Sequence, residues 1–136
     1  MHIEHIAIWT NRLERMREFY KIYFQARGGS KYWNPAKQYE SYFLSFSSGA
    51  RIELMTRPGI ADFNDKNGEP FIGYSHLSFA CESEDGVDEL TDLLQNDGYR
   101  VVDGPRHTGD GYYESVVLDP DGNRIEITAL KLGLTR

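Results

Sequence analysis

The stretch Gly49-Ala50-Arg51-Ile52-Glu53-Leu54 returns later in the chain as Gly122-Asn123-Arg124-Ile125-Glu126-Ile127. In both copies a glycine turn leads into alternating apolar and charged side chains, which is typical of a β-strand that buries one face. The two copies are 73 residues apart. This repeat decides the fold, because a second occurrence of one strand predicts a second copy of the module that contains it.

Two further pairs of segments support a duplication. His5-Ile6-Ala7-Ile8 matches His76-Leu77-Ser78-Phe79 at a spacing of 71 residues, and Tyr39-Glu40-Ser41 matches Tyr113-Glu114-Ser115 at a spacing of 74. Three matches at nearly one spacing indicate an internal duplication. We therefore predict a single domain, 1–136, that consists of module 1 (1–57), a Pro- and Gly-containing linker (58–73) and module 2 (74–130).

The first module reads as a strand, a helix and further strands. Asn11 and Glu14 fit a capping box, which predicts that the helix begins there, and Gly28-Gly29 predicts its end. Alternation of apolar and polar residues predicts the strands. They are Ile3–Trp9, Tyr39–Phe46 and Ala50–Thr56.

The second module follows the same order. Ser83 predicts the start of a helix, and Gly98 suits the left-handed residue that follows its end. The apolar positions of this helix are Val87, Leu90, Leu93 and Leu94. The predicted strands are Tyr99–Val102, Tyr112–Leu118 and Arg124–Thr128.

The composition excludes several other classes of protein. The chain has 136 residues, of which 40% are hydrophobic, and this is enough for a packed core. The formal net charge is −6 without a basic run, so phosphate backbones would repel the chain and we expect no nucleic-acid partner. A single cysteine, Cys81, and no apolar run of about 20 residues predict a cytoplasmic protein without membrane attachment.

Strand parity predicts equivalent positions for four side chains. Successive side chains of a strand point to opposite faces, and the helix of each module covers the apolar face. We therefore expect His5, Glu53, His76 and Glu126 on the face away from the helices. If the two half-sheets curve together, two imidazoles and two carboxylates meet in one concavity. The alternative is that all four are solvent-facing polar residues of an open sheet.

This set of residue types suits a metal ion. Two imidazoles and two carboxylates bind one divalent ion and leave positions open for water or substrate. Zn, Ni, Co, Mn and Fe(II) accept such ligands, and the residue types do not choose among them. The sequence therefore predicts one divalent metal ion held by His5, Glu53, His76 and Glu126.

With these motifs the chain resembles the vicinal oxygen chelate superfamily, which includes glyoxalases, bleomycin resistance proteins and dioxygenases. The resemblance covers nearly the whole chain. Its most specific segments are His5-Ile6-Ala7-Ile8, His76-Leu77-Ser78-Phe79 and Asp119-Pro120-Asp121-Gly122-Asn123-Arg124-Ile125-Glu126. It implies an α+β fold in which two paired βαβββ modules form a curved, mostly antiparallel sheet around a metal cavity.

Within that superfamily the four residues are similar to the metal ligands of glyoxalase I, the lactoylglutathione lyases. The resemblance implies a metal-dependent lyase or isomerase that transfers a proton through a metal-stabilised enediolate. The substrate would be a hydroxycarbonyl compound or a thiol conjugate. By the same resemblance the catalytic base is Glu126, with Glu53 as the second candidate.

Other functions stay open as alternatives. Ring-cleaving dioxygenases and thiol transferases of the superfamily resemble this arrangement but use two His and one Glu, and epimerases typically carry Gln where this chain has Glu53. The complete set therefore favours isomerisation of the glyoxalase type. An alternative of another class is a metal-free protein that sequesters a small molecule in the concavity.

Candidate substrate-binding residues follow from a departure from the resemblance. Bacterial glyoxalases I usually carry an Arg four residues after the first His, where this chain has Trp9. Trp9 and Met55 would form an apolar wall. The candidates to supply the missing charge are Arg106 and His107, together with Arg51 and Arg124. Tyr113 completes the set at the end of a glycine-rich segment, whose glycines either give it mobility or only shape a hairpin. The resemblance also implies a homodimer.

Overall fold

The computed structural model describes residues 1–62 and 69–130. The chain divides into two compact units, Met1–Glu69 (unit 1) and Pro70–Arg136 (unit 2). The division falls within the predicted linker, 58–73, of which residues 63–68 lie outside the described residues. In each unit one helix follows the first strand and all other strands come after it.

The elements of unit 1 are β1 (His5–Trp9), α1 (Leu13–Phe24), β2 (Arg27–Gly28), β3 (Tyr32–Asn34), β4 (Tyr39–Ser45) and β5 (Arg51–Thr56). Those of unit 2 are β6 (His76–Ala80), α2 (Glu84–Asn96), β7 (Val101–His107), β8 (Tyr112–Leu118) and β9 (Arg124–Leu130). The main differences from the predicted bounds are two short strands after α1 and a β7 that extends further towards the C-terminus.

Each unit contains one sheet, and the two sheets share a topology. The strand order is β1-β5-β4-β2 in unit 1, with β3 also paired to β4, and β6-β9-β8-β7 in unit 2. The first strand of each unit runs parallel to the last one, and the other pairings are antiparallel. The predicted α+β fold with two related modules is therefore confirmed.

Each helix covers the apolar face of its own sheet. In unit 1, Ile52 and Leu54 of β5 are buried on the side where α1 packs. In unit 2, Ile125 and Ile127 of β9 are buried in the same way by α2. One of the apolar positions of α2, Leu93, is 47% exposed, because the buried stripe of α2 consists of Val87, Thr91 and Leu94.

The two helices begin differently, and only one begins as predicted. Ser83 caps α2, since its hydroxyl accepts a hydrogen bond from the Gly86 amide at 3.1 Å. The capping box predicted for α1 is wrong. Asn11 instead donates to the Ile60 carbonyl at 3.0 Å, and the Glu14 carboxylate accepts from the Tyr42 hydroxyl.

The ends of the helices also differ. Gly98 follows α2 with a φ of +92°, as its predicted role requires. In contrast, α1 ends at Phe24 and not at the predicted glycines. Gln25 takes the left-handed conformation that terminates this helix, with a φ of 56°.

Strand β7 replaces part of the glycine-rich loop expected from the sequence. Its pairing with β8 is irregular between Val101 and Arg106. Gly104 lies in this irregular part with a φ of +73°, and a Cβ there would clash with the Glu114 carbonyl oxygen, so only glycine fits. The strand resumes with Arg106 opposite Glu114 and His107 opposite Tyr113. Arg106 and His107 are therefore strand residues with defined faces.

Neither α1 nor α2, the helices of the described ranges, is long and apolar enough to cross a membrane.

Candidate functional site

In unit 1 the parallel pairing of β1 with β5 brings a histidine beside a glutamate. His5 pairs with Arg51 and Ala7 pairs with Glu53, so His5 and Glu53 lie on one face, two residues apart along the ladder. The Nε2 atom of His5 is 3.7 Å from Oε2 of Glu53. The alternate residues Ile6 and Ile8 point to the opposite face, as parity predicts.

Unit 2 repeats this arrangement with β6 and β9. His76 pairs with Arg124 and Ser78 pairs with Glu126. The Nε2 atom of His76 is 3.3 Å from Oε2 of Glu126. Each unit therefore brings one predicted His and one predicted Glu together by the same register.

The second ring nitrogen of each histidine contacts the residue that precedes it. Nδ1 of His5 contacts the Glu4 carboxylate, and Nδ1 of His76 lies 3.2 Å from the Ser75 hydroxyl. Metal-binding histidines generally use their free ring nitrogen in this way, which fixes the orientation of the ring. Both rings thus direct Nε2 at the glutamate of their own unit.

The second oxygen of each glutamate also has a partner, but the two partners differ. The Tyr39 hydroxyl donates to Oε1 of Glu53 at 2.9 Å, and the Ser78 hydroxyl donates to Oε1 of Glu126 at 2.8 Å. Burial and the nearby Glu53 carboxylate raise the pKa of Tyr39, so its phenol stays protonated as a donor. In both units one carboxylate oxygen is held and the other faces an imidazole.

The spacing of each His–Glu pair is close to that of two ligands of one metal ion. Donor atoms about 2.1 Å from one ion lie roughly 3–3.5 Å from each other; the unit 2 pair, at 3.3 Å, lies within this range, and the unit 1 pair, at 3.7 Å, lies slightly beyond it. Within the described ranges, no group of three or more His, Cys, Asp or Glu is arranged to hold a metal. The described part of each unit therefore brings together two potential donor groups, one imidazole and one carboxylate.

An open cleft of about 540 Å³ lies next to the pair in unit 2. It extends from His76 and Glu126 to Asp110, Tyr112, Glu114 and Thr128. The pairing of β8 with β9 explains the lining, because it puts Glu114 opposite Thr128 and Val116 opposite Glu126 on one face. Burial raises the pKa of the Glu114 carboxyl, and the negative charge of Glu126 raises it further.

The family model of the Glyoxalase/Bleomycin resistance protein/Dioxygenase superfamily matches residues 2–127. The chain belongs to this superfamily. The match spans both units and all four residues of the two His–Glu pairs.

Several proteins are similar to this member of the superfamily. The uncharacterized protein YqjT of Bacillus subtilis (strain 168) is 28% identical over 130 residues, which cover 93% of this chain and 98% of YqjT. The trypanothione-dependent glyoxalase I of Leishmania major has a TM-score of 0.74 and is 24% identical, and the match covers 96% of this chain and 86% of that protein. Lactoylglutathione lyase from Agrobacterium tumefaciens has a TM-score of 0.67 and is 22% identical, and the match covers 98% of this chain and 96% of the lyase. At these identities the solved structures support the fold.

Trp9, Met55 and Arg106 are candidate substrate-binding residues that share a face with a His–Glu pair of this superfamily member. Trp9 and Met55 are neighbours in the β1–β5 register, on the face of His5 and Glu53. Arg106 stands opposite Glu114, on the cleft face of unit 2. The guanidinium of Arg106 donates from Nε and Nη2 to Oδ2 of one carboxylate, that of Asp103, at 3.0 and 2.8 Å.

Two other candidates lie on the opposite face of the same sheet, against α2. The Tyr113 hydroxyl donates to the Asp88 carboxylate at 2.8 Å, and Nδ1 of His107 is 3.7 Å from the Glu84 carboxylate. His107 and Tyr113 also pack on each other, with ring centroids 4.8 Å apart. The structure therefore brings neither of them to the cleft of unit 2.

The position of Tyr113 corrects one of the three sequence matches. Phe43 pairs with Glu53 in unit 1 and Val116 pairs with Glu126 in unit 2, so equivalent residues of these strands are 73 apart. The residue equivalent to Tyr39 is therefore Tyr112, and the match at a spacing of 74 is wrong by one residue. A shift of one residue reverses the face of a strand side chain, which is why Tyr112 lines the cleft and Tyr113 does not.

The sequence reasoning also missed Glu114 and Thr128. A signal for both was available: counting back from Glu126 through the turn at Asp119–Gly122 gives the face of Glu114 in β8, and alternation with Glu126 gives the face of Thr128 in β9. The hydroxyl groups that donate to the two glutamates, those of Tyr39 and Ser78, could not be predicted in this way. The sequence does not show which acceptor a side-chain hydroxyl group reaches in the folded protein.

Proposed function

We propose that the protein is a metal-dependent lyase or isomerase of the glyoxalase I type. The observation that carries this proposal is the repeated His–Glu pair, with Nε2 of each histidine 3.7 or 3.3 Å from a carboxylate oxygen at the same position of each unit. Two independent surface pairs would have no reason to share register and orientation. A duplicated half-site for one ion accounts for both.

The proposed ligands are His5, Glu53, His76 and Glu126. One divalent ion of the Zn, Ni, Co, Mn or Fe(II) class bound there supplies a Lewis acid for adjacent substrate oxygens. The residues themselves hold the ion and keep one carboxylate oxygen of each pair fixed by a hydroxyl donor. Such supporting hydrogen bonds commonly tune metal affinity and ligand basicity.

We propose Glu126 as the base that moves a proton between adjacent carbons, with Glu53 as the second candidate. Glu126 borders the open cleft of unit 2, where a substrate has room. The Ser78 hydroxyl donates to Oε1 and orients the carboxylate beside the cleft. A carboxylate positioned in this way suits general base catalysis.

The proposed substrate is a hydroxycarbonyl compound or its thiol conjugate. Trp9 and Met55 offer an apolar wall in unit 1, and Arg106 offers a charge on the cleft face of unit 2. His107 and Tyr113 contribute indirectly at most, because they contact α2 on the other face. The presence of Trp9 where bacterial relatives carry Arg favours a conjugate other than that of glutathione.

Metal analysis combined with an activity assay tests this proposal. Protein purified without added metal should bind one divalent ion per proposed site, and metal-loaded protein should convert the hemithioacetal of methylglyoxal and a thiol to a thioester, followed by ultraviolet absorbance. Methylglyoxal without thiol is the control. If the wild type binds no divalent ion and the H5A variant behaves identically, a sequestering protein replaces the proposal; oxygen consumption with Fe(II) would instead support a dioxygenase.

The same proposal includes a homodimer in the cytoplasm. The single cysteine fits a reducing compartment, and a site of two half-sites can be completed within one chain or between two. Light scattering after gel filtration, with and without metal, measures the oligomeric state. Mixing H5A with H76A protein then tests the division of the site, because restored activity requires ligands from different chains.

A further inference from the structure

The residue that precedes the histidine of each pair differs between the two units. It is Glu4 in unit 1 and Ser75 in unit 2, at the same spacing that relates His5 to His76. Nδ1 of His5 contacts Oε2 of the Glu4 carboxylate, whereas Nδ1 of His76 lies 3.2 Å from the Ser75 hydroxyl. The two histidines therefore hold the same place in the ladder with chemically different partners.

Glu4 is held in its position by Arg51. The Arg51 amide donates to the Glu4 carbonyl oxygen at 3.0 Å, which continues the backbone pairing of β1 and β5 by one residue. The Arg51 guanidinium contacts Oε1 of the Glu4 carboxylate, so each carboxylate oxygen has its own partner. The same guanidinium lies 4.2 Å from the centroid of the Phe43 ring, against which His5 packs edge-on. These four side chains form one cluster, and each member contacts two others.

The hydrogen-bonding groups of this cluster are not repeated in unit 2. Unit 2 has an arginine in the same register, Arg124 opposite His76, but Ser75 stands where unit 1 has Glu4. A serine hydroxyl both donates and accepts, so Ser75 does not determine which ring nitrogen of His76 carries the proton. An ionised carboxylate only accepts, so its contact with Glu4 requires the proton of His5 on Nδ1.

The direction of this hydrogen bond decides which nitrogen of His5 can bind a metal ion. A neutral imidazole coordinates through the nitrogen that carries no proton. With the proton on Nδ1, the lone pair lies on Nε2, which is the atom 3.7 Å from Oε2 of Glu53. A carboxylate that accepts from Nδ1 also fixes the orientation of the ring and raises the basicity of the ligand.

We propose that Glu4, held by Arg51, is a positioning residue that fixes His5 in the tautomer with its lone pair on Nε2. The consequence for metal binding rests on the proposed function, whereas the tautomer itself does not. Arg51 was a candidate to supply charge to the substrate. Its guanidinium is instead engaged with Glu4 and Phe43, so it acts on the site through His5.

The tautomer of His5 can be measured without metal. Two-bond ¹H–¹⁵N correlation spectra of the metal-free full chain at alkaline pH distinguish the tautomers of neutral histidines, and H5A assigns the His5 signals. We expect the Nδ1–H form in the wild type. In E4Q, Arg51 takes the only amide oxygen and the amide NH₂ group then donates to Nδ1, so His5 should change to the Nε2–H form. The signals of His76 should not change. An Nε2–H form in the wild type, or no change in E4Q, would overturn the proposal.

A double variant tests the part assigned to Arg51. Without the guanidinium, the amide introduced by E4Q can turn its oxygen towards Nδ1 of His5. The E4Q/R51A protein should therefore regain part of the Nδ1–H form that E4Q alone loses. If none of that form returns, Arg51 does not determine the orientation of the group at position 4, and its role in the proposal is rejected.

Metal affinity shows whether the tautomer matters for the site. Competition with a chelator should give roughly tenfold weaker binding of Zn²⁺ in E4Q than in the wild type. E18Q is the matched control, because the Glu18 side chain is 50% exposed, compared with 52% for Glu4, and accepts from Arg17 at 2.7 Å on α1. This control should bind Zn²⁺ as the wild type does. An equal loss in E18Q would assign the effect to a lost surface ion pair and reject the positioning role.

The two measurements separate this inference from the proposed function. A His5 tautomer that depends on Glu4, in a protein that binds no divalent ion, would reject the metal-dependent function and keep Glu4 as the residue that orients His5. Zn²⁺ bound equally tightly by the wild type and E4Q would keep the function and reject the positioning role.

Discussion

The two units carry the same His–Glu pair in unlike surroundings. In unit 1 aromatic rings border the pair: His5 packs edge-on against Phe43 at 5.4 Å, and Trp9 packs against Tyr39 at 6.1 Å. In unit 2 the pair opens into a polar cleft with Glu114 and Thr128. The strand register that makes the pair is identical, while the side chains around it have diverged.

This difference separates the part of the site that backbone pairing determines from the part that side chains determine. In either unit the first strand runs parallel to the last, and the histidine stands two residues before the residue that pairs with the glutamate. This register alone brings the two side chains together. What else contacts the pair is free to differ, because neighbouring side chains on the same face can change without altering the register. We therefore propose equal roles of the two units in metal binding and unequal roles towards substrate.

The largest expected effect breaks the pair in either unit. H5A and H76A should each lose most of the bound metal, since the three remaining ligands hold the ion less tightly than four. Bound metal is measured by mass spectrometry after dialysis. H2A and H107A are the matched controls, because these histidines belong to neither pair, and they should keep the wild-type content. Full metal retention in H5A would assign the site to unit 2 alone.

A second change distinguishes the two glutamates. E126Q should lower kcat roughly a thousandfold, because it removes the proposed base from the substrate cleft. E53Q should lower it far less once metal is restored, roughly tenfold, because an amide oxygen still ligates. Both values come from steady-state kinetics at equal metal content. The reverse order would transfer the role of base to unit 1.

A third pair of changes tests whether the buried face of the last strand contributes equally to the stability of both units. L54A and I127A each remove a fully buried side chain, or nearly so, from the last strand, on the side that a helix covers. Each should lower the free energy of unfolding by about 2–5 kcal/mol in urea titrations. The exposed L93A substitution is the control and should cost less than about 1 kcal/mol. A small effect of either core change would mean that its unit does not depend on that face.

The smallest expected effect concerns the hydroxyl donors. Y39F and S78A each remove one hydrogen bond to a proposed ligand and should weaken metal binding roughly tenfold. Competition with a chelator measures this affinity. Y42F loses a hydrogen bond to Glu14 on the helix side and serves as the control for Y39F. Unchanged affinity in both variants would show that these donors do not support the ligands.

The fold was predictable because it depends on periodicity and on the repeat. Alternation in His5–Trp9 and His76–Ala80 gave the correct faces, and with them the two pairs. Local chemistry was less informative. The sequence Asn11 to Glu14 fits a capping box. In the folded protein, however, the Asn11 side chain donates to the Ile60 carbonyl, and the Glu14 carboxylate accepts from the Tyr42 hydroxyl.

The surroundings of the pairs were predictable only in part. Arg106 and His107 are adjacent in sequence and are both candidates for substrate binding, but in a strand adjacent residues face opposite ways. The irregular pairing around Gly104 determines which of them faces the cleft, and no pattern in the sequence marks that shift. The partner of Arg106 is a matter of side-chain reach, which only the structure provides.

The parallel contact between the first and last strand of a unit determines when its His–Glu pair can form during folding. The histidine lies near the beginning of a unit, and its glutamate follows about 50 residues later. The two side chains therefore meet only when the chain has closed a long loop. Fragments that end before β5 or β9 hold a histidine but not its partner. Binding of a divalent ion during refolding would therefore report the completion of the modules, later than the formation of either helix.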